Sequence, residues 1–268
     1  MRIVNLASGS KANSTFVCYG ETKILIDVGL GEKKLKEELA DIGEKLENIT
    51  AVLITHEHSD HIKSLEVLAK KYDMDIFVHE TLAAEKIIQD IPFKEGKLKT
   101  FNEIPFSVGD FEVTPIALSH DAVAPVGFVV KVFSSKSKVG FITDTGIVTA
   151  VAKKELEGAK IVFIESNYDE DMLWGGRYPL IVKQRIDGIK GHLSNSQSLD
   201  FAKYLFEHGT KCFVLSHLSE NNNTSELAYL NYVKFFESQN LVLDKDVFVR
   251  LSFQSKHGNN FVLKEEFN

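Results

Sequence analysis

The sequence is poor in proline, in cysteine and in long apolar segments, and each shortage excludes a class of protein. Only five of its 268 residues are proline and its 17 glycines are scattered, so no linker-like stretch separates two domains. No window approaches the roughly 18 consecutive apolar residues of a transmembrane helix, so we predict no membrane partner. The sequence therefore predicts a single domain over residues 1–268.

Cysteine occurs only twice, and both cysteines lie in apolar runs. Cys18 belongs to the run TFVCY and Cys212 to the run KCFVL, which favours buried free thiols over a disulfide. The first residues, MRIVNLASGSKANS, turn polar after a short apolar stretch that is too short for the core of a secretory signal. Together these features predict a cytoplasmic protein.

Positive charge is also in short supply. The 31 lysines and arginines are outnumbered by 38 aspartates and glutamates, which gives a formal net charge of −7. Nucleic-acid-binding domains are usually basic, so binding of this kind would need a local basic patch. A hydrophobic content of 44% is enough for a substantial core, and no segment is of low complexity, so global disorder is excluded.

Short apolar runs rich in valine and isoleucine alternate with helical patterns along the chain. In the first half we predict strands at 2–6, 15–19, 23–28, 51–54 and 75–78, and helices near 32–46, 62–72 and 80–89. In the middle we predict strands at 98–101, 111–118, 126–133 and 138–143. In the second half we predict helices near 148–157, 179–187, 195–207 and 224–237, and strands at 161–164, 212–216, 246–252 and 260–264. This order indicates a mixed α+β domain with two mixed sheets flanked by helices.

One short run concentrates metal-binding side chains, and it reads His56-Glu57-His58-Ser59-Asp60-His61. It follows a predicted strand directly, so it lies on a strand-to-helix loop. Imidazoles and carboxylates on rigid elements are the ligands that zinc and similar ions take. Alternate residues of a loop leaving a strand can point the same way, so His56 and His58 are expected to share one metal while Asp60 and His61 reach another. The alternative is a helix start with solvated histidines.

Three further candidate ligands follow apolar strands. His120 ends EVTPIALSH, Asp144 ends VGFITD and His217 ends CFVLSH. The seven ligands make two sites if Asp144 bridges. The predicted ligands are His56, His58, His120 and Asp144 for one metal, and Asp60, His61, His217 and Asp144 for the other. We expect two divalent ions, Zn or Mn, and Fe is also compatible with these ligands.

At these positions the chain resembles the metallo-β-lactamase superfamily. THEHSDH is similar to its HxHxDH signature, and ILIDVG, with Asp27, resembles its first motif, in which the aspartate usually supports a metal ligand. His120, Asp144 and His217 fall in the order of its third, fourth and fifth motifs. The resemblance implies a four-layered αββα sandwich with the metals at one edge, and the activity of a metal-dependent hydrolase.

Further stretches resemble the YycJ/WalJ-like branch of that superfamily. They are LASGSKANST, SHDAVAPVGF, FITDTG, ESNYDEDML, RYPLIVKQRI, GHLSN and SHLSENNNTSELA. One departure is Ala12, which stands where the early SGSxGNS loop commonly has glycine. Members of the branch are described as metal-dependent nucleases, so the resemblance implies a phosphodiesterase that acts as a 5′-exonuclease on DNA. The interval between Asp144 and His217 is too short for the extra domain of the β-CASP nucleases. It does hold an insert near 166–192 that we expect to shape substrate choice.

The predicted mechanism uses a hydroxide shared by the two metals, which would attack phosphorus or a carbonyl. Asp60 would bind metal and orient that nucleophile. His192, in GHLSN, is the predicted proton donor to the leaving oxygen, and a similarly placed histidine in related phosphodiesterases supports this role. The alternative is that His192 caps the following helix.

Six polar residues are predicted to bind substrate, and they are Ser10, Asn13, Ser14, Asn167, Arg185 and Lys190. The first three share one loop and could donate hydrogen bonds to phosphate or build a turn. Asn167 could face the cleft or form an Asx turn. The two basic residues lie in a locally basic segment beside His192, although such charges are often a solvated helix face.

Three functions agree with these patterns. The first is a phosphodiesterase acting on nucleic acid, with DNA as the expected partner and no protein partner to be inferred. The second is a hydrolase of a small phosphodiester, thioester, lactam or other ester. The third is a non-catalytic metal-binding or partner-binding module, which the complete ligand set disfavours. Asp144, where a lactamase would have cysteine, disfavours the lactamase activity by resemblance.

Overall fold

Two mixed β-sheets packed face to face form the centre of the molecule. The computed structural model describes residues 1–135, 137–254, 257–258 and 260–263, and within them each sheet has seven strands. The first sheet contains β1 (Arg2–Ala7), β2 (Ser14–Tyr19), β3 (Thr22–Ile26), β4 (Ala51–Leu53), β5 (Asp75–His79), β6 (Leu98–Phe101) and β14 (Asn260–Val262). The second contains β7 (Phe106–Val108), β8 (Phe111–Ala117), β9 (Val126–Val132), β10 (Lys138–Ile142), β11 (Ile161–Glu165), β12 (Cys212–Ser216) and β13 (Phe248–Leu251).

The two sheets repeat the same plan of strand directions. The first has the order β14-β1-β2-β3-β4-β5-β6, antiparallel as far as β3 and parallel from β3 to β6. The second has the order β13-β12-β11-β10-β9-β8-β7, parallel from β13 to β10 and antiparallel from β10 to β7. Parallel strands end at the same edge of a sheet, where open α/β sheets place their ligand sites. Residues that follow β3 and β4, or β10, β11 and β12, are therefore neighbours.

Helices cover the outer face of each sheet. Against the first sheet lie α1 (Glu32–Asp41), a short 3-10 helix (Leu46–Asn48), α2 (Ser59–Ile62), α3 (Leu65–Lys71), α4 (Glu80–Ala83) and α5 (Lys86–Gln89). The second half of the chain contributes α6 (Ala150–Leu156), α7 (Glu170–Gly175), α8 (Leu180–Ile186), α9 (Asn195–Glu207) and α10 (Ser225–Ser238). Of these, α6, α9 and α10 pack on the second sheet. By contrast, α8 buries none of its residues.

Three apolar cores hold the layers together. The central one joins the inner faces of the two sheets, for example Ile24 of β3 with Phe128 of β9 and Phe163 of β11. The outer cores join each sheet to its helices. Full burial of one such side chain contributes roughly 1.5–3 kcal/mol. The order of layers is helix, sheet, sheet, helix, so the prediction of an αββα sandwich is confirmed.

Most predicted elements are found within a few residues of their expected bounds, and the exceptions have local causes. The helix predicted over 32–46 ends at Asp41, where Gly43 takes a positive φ of 80°. The helix predicted over 80–89 is divided into α4 and α5, and that over 62–72 is preceded by the separate turn α2. Helix α7 and strand β7 were not predicted. The strand predicted over 260–264 is β14, and position 264 lies outside the described residues.

The remaining expectations from the sequence concern thiols and membranes. Cys18 and Cys212 are both free and both partly buried. Burial raises the pKa of Cys212 to about 12. Within the part of the chain that the structure describes, no helix has the length and apolarity that a bilayer crossing would require.

Candidate metal centre

The candidate ligands lie at the ends of strands along one edge of the sandwich. The run 56–61 follows β4, and His120, Asp144 and His217 follow β8, β10 and β12. Asp27, Asp144 and His217 each take a positive φ, of 60°, 62° and 56°. This conformation is uncommon for residues other than glycine, and such outliers cluster at functional sites. At each of these three residues the chain turns sharply, just after an apolar strand ends.

A first group consists of His56, His58 and His120. One ring nitrogen of each residue lies within 4.8 Å of the others. Burial lowers the pKa of His56 well below its usual range, and the neighbouring imidazoles of His61 and His58 act in the same direction. Burial likewise lowers the pKa of His120. The rings of His56 and His120 are therefore neutral at pH 7, which is the form that binds a metal ion.

A second group consists of Asp60, His61 and His217, whose ligand atoms also lie within 4.8 Å of one another. Burial alone would lower the pKa of His61, but Asp27 and Asp144 outweigh it and raise the value to about 10. Burial would also lower the pKa of His217, and Asp144 and Asp60 raise it well above its usual range. Burial would raise the pKa of Asp60, but His217 and His61 keep it far below the ordinary value. Without a metal, carboxylates thus hold protons on these two rings.

Asp144 lies between the two groups. Its Oδ2 is 3.5 Å from Nε2 of His61, and its Oδ1 is 3.3 Å from Nε2 of His217. The same Oδ1 lies 3.9 Å from Nε2 of His120, in the first group. The carboxylate is therefore in position to bridge two ions.

Buried polar atoms without partners test whether metal ions fit this site. Nε2 of His56, Oδ2 of Asp144 and Nε2 of His217 are buried and accept or donate no hydrogen bond within the described residues. Leaving such an atom unpaired costs about 1–3 kcal/mol. All three atoms face the candidate groups, and all are of types that zinc, manganese or iron binds. The donor set fits two divalent ions.

The Nδ1 atoms of three candidate histidine ligands, His56, His61 and His120, each contact a neighbouring side chain or backbone oxygen. Nδ1 of His61 is 2.7 Å from Oδ2 of Asp27, and Thr55 donates to that carboxylate from both its backbone nitrogen and its hydroxyl. The Thr55 hydroxyl also lies 3.0 Å from Nδ1 of His56. Nδ1 of His120 is 3.1 Å from the carbonyl oxygen of Gly191. Partners of this kind fix the ring so that Nε2 points to the metal.

Glu165 joins His192 to the same site. The Glu165 side chain is fully buried at the end of β11, and its Oε1 lies 2.7 Å from Nδ1 of His192 and 3.1 Å from Nδ1 of His217. Burial would raise the pKa of Glu165, but His192 and His217 keep it well below its usual range, so the group is ionised. The His192 ring lies 5.0 Å from that of His120 and 5.2 Å from that of His217. His192 therefore faces both groups.

Comparisons with known proteins agree with this geometry. The profile described as "Beta-lactamase superfamily domain" matches residues 22–218. The exodeoxyribonuclease YycJ of Bacillus anthracis is 37% identical over 242 residues, which cover 87% of this chain and 88% of that protein. The exodeoxyribonuclease WalJ of Streptococcus pneumoniae is 38% identical over 238 residues, which cover 85% of each. The chain belongs to the metallo-β-lactamase superfamily, in the YycJ and WalJ branch. It is an enzyme, a metal-dependent hydrolase.

Solved structures show the same fold at much lower sequence identity. The metallo-β-lactamase fold protein YhfI of Bacillus subtilis superposes with a TM-score of 0.69 at 16% identity, covering 96% of this chain and 98% of that one. The likeness shows that the two proteins share the two-sheet sandwich.

A cleft opens over the two groups. It has a volume of about 410 Å³. Its lining comprises Ser10, His58, Asp60, His120, Asp121, Asp144, Tyr178, Val182, Arg185, Ile186, Gly191, His192 and His217. Of the six residues predicted to bind substrate, only Ser10 and Arg185 are in this set.

Three of the other residues predicted to bind substrate in this hydrolase have buried side chains that do not line the cleft. Asn13 is buried, and its amide donates to Oδ2 of Asp60 at 3.0 Å and to the carbonyl oxygen of Gly9. Ser14 is buried and donates to the carbonyl oxygen of Asp27. Asn167 is buried and donates to the carbonyl oxygen of His217 at 2.8 Å. Their side chains contact residues of the site and do not line the cleft, and their part in substrate binding stays a prediction.

The two basic residues predicted to bind substrate differ in their position relative to the cleft. Arg185 lines the cleft, where its Nε donates to Oδ2 of Asp121 at 2.5 Å, so its charge is already paired. Lys190 is exposed and does not line the cleft. Helix α8, which carries Arg185, has no buried residue and forms the wall of the cleft.

The sequence did not identify three residues whose side chains lie against ring nitrogens of candidate ligands. Glu165 ends the apolar strand IVFIE, the same pattern that identified Asp144, so a signal was present. Asp121 directly follows His120, and its Oδ1 lies 3.4 Å from Nε2 of His120. Thr55 precedes the histidine run, and no pattern in the sequence distinguishes it from an ordinary strand residue.

Proposed function

We propose that this enzyme is a two-metal phosphodiesterase that removes nucleotides from the 5′ end of DNA. The observation that carries the proposal is the pair of ligand groups on either side of Asp144, with His192 facing both. The names of the relatives, exodeoxyribonucleases YycJ and WalJ, support DNA as the substrate. A DNA substrate agrees with the cytoplasmic location that the sequence predicts. That location stays a prediction.

In this proposal each residue of the two groups is a metal ligand. His56, His58 and His120 would hold one ion, Asp60, His61 and His217 would hold the other, and Asp144 would contact both. When bound, divalent ions supply Lewis acidity toward a phosphoryl oxygen and a nucleophilic water at neutral pH. Zinc and manganese both accept these ligands, with iron as a third choice.

Asp60 is proposed to orient the attacking water. Its side chain reaches the cleft and is ionised, because His217 and His61 hold its pKa down. The Asn13 amide fixes one of its oxygens at 3.0 Å. A carboxylate held in one orientation can accept a hydrogen bond from the water. The lone pair of the water oxygen is then directed at phosphorus.

His192 is proposed to protonate the leaving oxygen. Glu165 accepts a hydrogen bond from Nδ1, which places the second ring nitrogen, Nε2, on the other side of the ring. A proton carried there can pass to the leaving oxygen as the P–O bond breaks. The buried Glu165 orients the His192 ring in the same way that an aspartate orients the histidine of a hydrolase triad.

The segment 166–192 is proposed to be the substrate-shaping insert within a single domain spanning the chain. It contains α7 and α8 and provides one wall of the cleft through Tyr178, Val182, Arg185 and Ile186. The cleft volume of about 410 Å³ also suits a small phosphodiester or another small ester. Hydrolysis of a small phosphodiester or another small ester is therefore kept as the second candidate function.

The decisive experiment is cleavage of 5′-labelled and 3′-labelled DNA strands with Zn and Mn supplied separately. We expect release of the 5′ label first, inhibition by a chelator, and loss of activity in His192→Ala. His208→Ala is the matched control, since this exposed histidine is the C-cap residue that follows α9, and we expect full activity. Hydrolysis of thioesters or small phosphodiesters with both labelled strands left intact would instead support the second function.

A further inference from the structure

Among the residues that the structure describes, three carboxylates line the cleft, and they are Asp60, Asp121 and Asp144. Asp60 belongs to the second ligand group, and Asp144 lies between the two groups. Asp121 belongs to neither group, although it directly follows the candidate ligand His120 in the loop between β8 and β9. A carboxylate oxygen is an ordinary ligand for zinc, manganese and iron, so the surroundings of Asp121 decide whether it can bind a metal ion.

One oxygen of Asp121 faces the first ligand group. Its Oδ1 lies 3.4 Å from Nε2 of His120 and 3.9 Å from Nε2 of His58. The bridging candidate Asp144 comes no closer to His120, since its Oδ1 lies 3.9 Å from the same Nε2 atom. Asp121 is therefore placed at least as well as Asp144 to share an ion with His120.

The second ligand group shows the same arrangement around Asp60. Oδ2 of Asp60 lies 3.4 Å from Nε2 of His61 and 3.9 Å from Nε2 of His217. Asp121 thus stands to the first group as Asp60 stands to the second. Ligand atoms lie about 2.0–2.2 Å from zinc, so two atoms on one ion are roughly 3–4 Å apart, depending on the angle between the bonds. Both carboxylates meet this spacing.

Hydrogen bonds hold the loop of Asp121 in place. The backbone nitrogen of Val123 donates to Oε1 of Glu57 at 2.9 Å, which joins this loop to the histidine run. Nε of Arg185 donates to Oδ2 of Asp121 at 2.5 Å, so the oxygen that faces the imidazoles is the other one, Oδ1. A ligand has to be held in one orientation by such contacts if it is to bind an ion well.

We propose that Asp121 is an eighth ligand residue of the metal centre and binds the first ion through Oδ1. That ion is the one assigned to His56, His58 and His120. The inference rests on the two-metal site of the proposed function. Imidazoles bind metal in their neutral form, so the three histidines bring no charge to the first ion. Asp121 supplies a negative charge that this ion does not have to share with the second.

The test measures metal binding and not catalysis. Zinc is added to the metal-free protein, and binding is followed by calorimetry. Asp121→Ala should bind one of the two ions at least about tenfold more weakly, since even groups that only orient a ligand are worth about 10–100-fold in affinity. Asp60→Ala should weaken the other ion, and the double variant should bind both weakly. The matched control is Asp171→Ala, an exposed aspartate of α7, which should bind both ions as the wild type does.

Arg185→Ala distinguishes a metal ligand from a residue that only pairs with α8. This variant loses the ion pair but keeps the Asp121 carboxylate. It also removes a positive charge from the neighbourhood of a cation, so neither ion should bind more weakly than in the wild type. Equal weakening in Arg185→Ala and Asp121→Ala would show that Asp121 acts only through its ion pair, and would overturn the inference.

The visible spectrum of the cobalt-loaded protein gives a readout that a change of charge alone would not move. The absorption of cobalt(II) depends on the number and type of its ligands and on their geometry. At full occupancy, the spectrum of Asp121→Ala should therefore differ from that of the wild type, and the spectrum of Asp171→Ala should not. An unchanged spectrum or an unchanged affinity in Asp121→Ala would show that Asp121 is not a ligand. A wild type that binds fewer than two ions would instead overturn the two-metal proposal, so the two failures are distinguishable.

Discussion

Oε1 of Glu165 lies 2.7 Å from Nδ1 of His192, whose side chain lines the cleft. The carboxylate is fully buried and ionised, and it also reaches Nδ1 of His217. One side chain thus orients both a candidate ligand and the proposed proton donor. Substitutions at His192 and Glu165 should therefore differ in their effect on metal binding.

His192→Ala should retain both metals and lose about 10²–10⁴ in rate, the usual scale for general acid catalysis. The loss should be smaller for a phosphodiester with a good leaving group, because that oxygen needs less protonation. Rates on both substrates and the metal content of the variant check this. An unchanged rate on DNA would remove His192 from the mechanism, and loss of one metal would show that it is a ligand instead.

Glu165→Gln should lower the rate and also weaken binding of the ion held by His217, by about 10–100-fold, as for other groups that orient a ligand. The reason is that glutamine cannot supply a charge to both imidazoles. Metal titration followed by calorimetry measures the change. Combining this substitution with His192→Ala should cost little further rate, because the two residues act as a unit; additive losses would contradict that.

Asp144→Ala should lower the occupancy of both metals, because its two oxygens face both groups. Elemental analysis should find two ions per chain in the wild type and fewer than two in the variant. The control is Asp200→Ala, an exposed aspartate of α9, which should leave the content unchanged. Retention of two ions by Asp144→Ala would show that Asp144 does not bridge.

Thr55→Val should weaken metal binding without touching a ligand. The hydroxyl holds Asp27 and lies 3.0 Å from Nδ1 of His56, and valine has nearly the same shape. We expect a fall of about 10–100-fold in metal affinity and a loss of about 1–3 kcal/mol in the free energy of unfolding, because the Asp27 carboxylate loses a buried partner. Thr55→Ser, which keeps the hydroxyl, should restore most of the affinity; if it behaves like valine, the hydroxyl is not the cause.

Gly29→Ala should disrupt the loop that carries the ligands. A Cβ at Gly29 would lie 1.5 Å from the carbonyl oxygen of Asp60 and 2.7 Å from the backbone nitrogen of Asn13. Backbone atoms cannot yield as a flexible side chain can, so we expect a loss of at least about 1–3 kcal/mol, the usual cost of overpacking. Denaturant unfolding measures it. Gly31→Ala, where an added Cβ meets no atom within 4 Å, should be tolerated.

The sequence predicts the fold well because the signals are local. Buried strands such as Ile161–Glu165 are continuous apolar runs, and α9 and α10 have long helical patterns with capping residues Ser194 and Thr224. The prediction failed for the short helices, because few residues define each of them. In α7, the N-cap Asp169 and the acidic first turn are present, but six residues are too few for a helical pattern to stand out.

The candidate ligands could be expected for the same reason, since each follows an apolar strand. What the sequence could not predict is how the remaining polar residues pair over long distances. Asn13 is separated from Asp60 by 47 positions, yet its amide contacts that carboxylate rather than the cleft. Arg185 pairs with Asp121, which lies 64 positions earlier. Such contacts follow from tertiary packing and leave no periodic pattern.

Each ion would be held by loops from both sheets. His56, His58, Asp60 and His61 follow a strand of the first sheet, while His120, Asp144 and His217 follow strands of the second. A ligand that binds the folded chain and not the unfolded one adds its binding energy to the free energy of unfolding. Metal would therefore act as a clamp across the sandwich, and a rising metal concentration would raise the melting temperature while it switches the enzyme on.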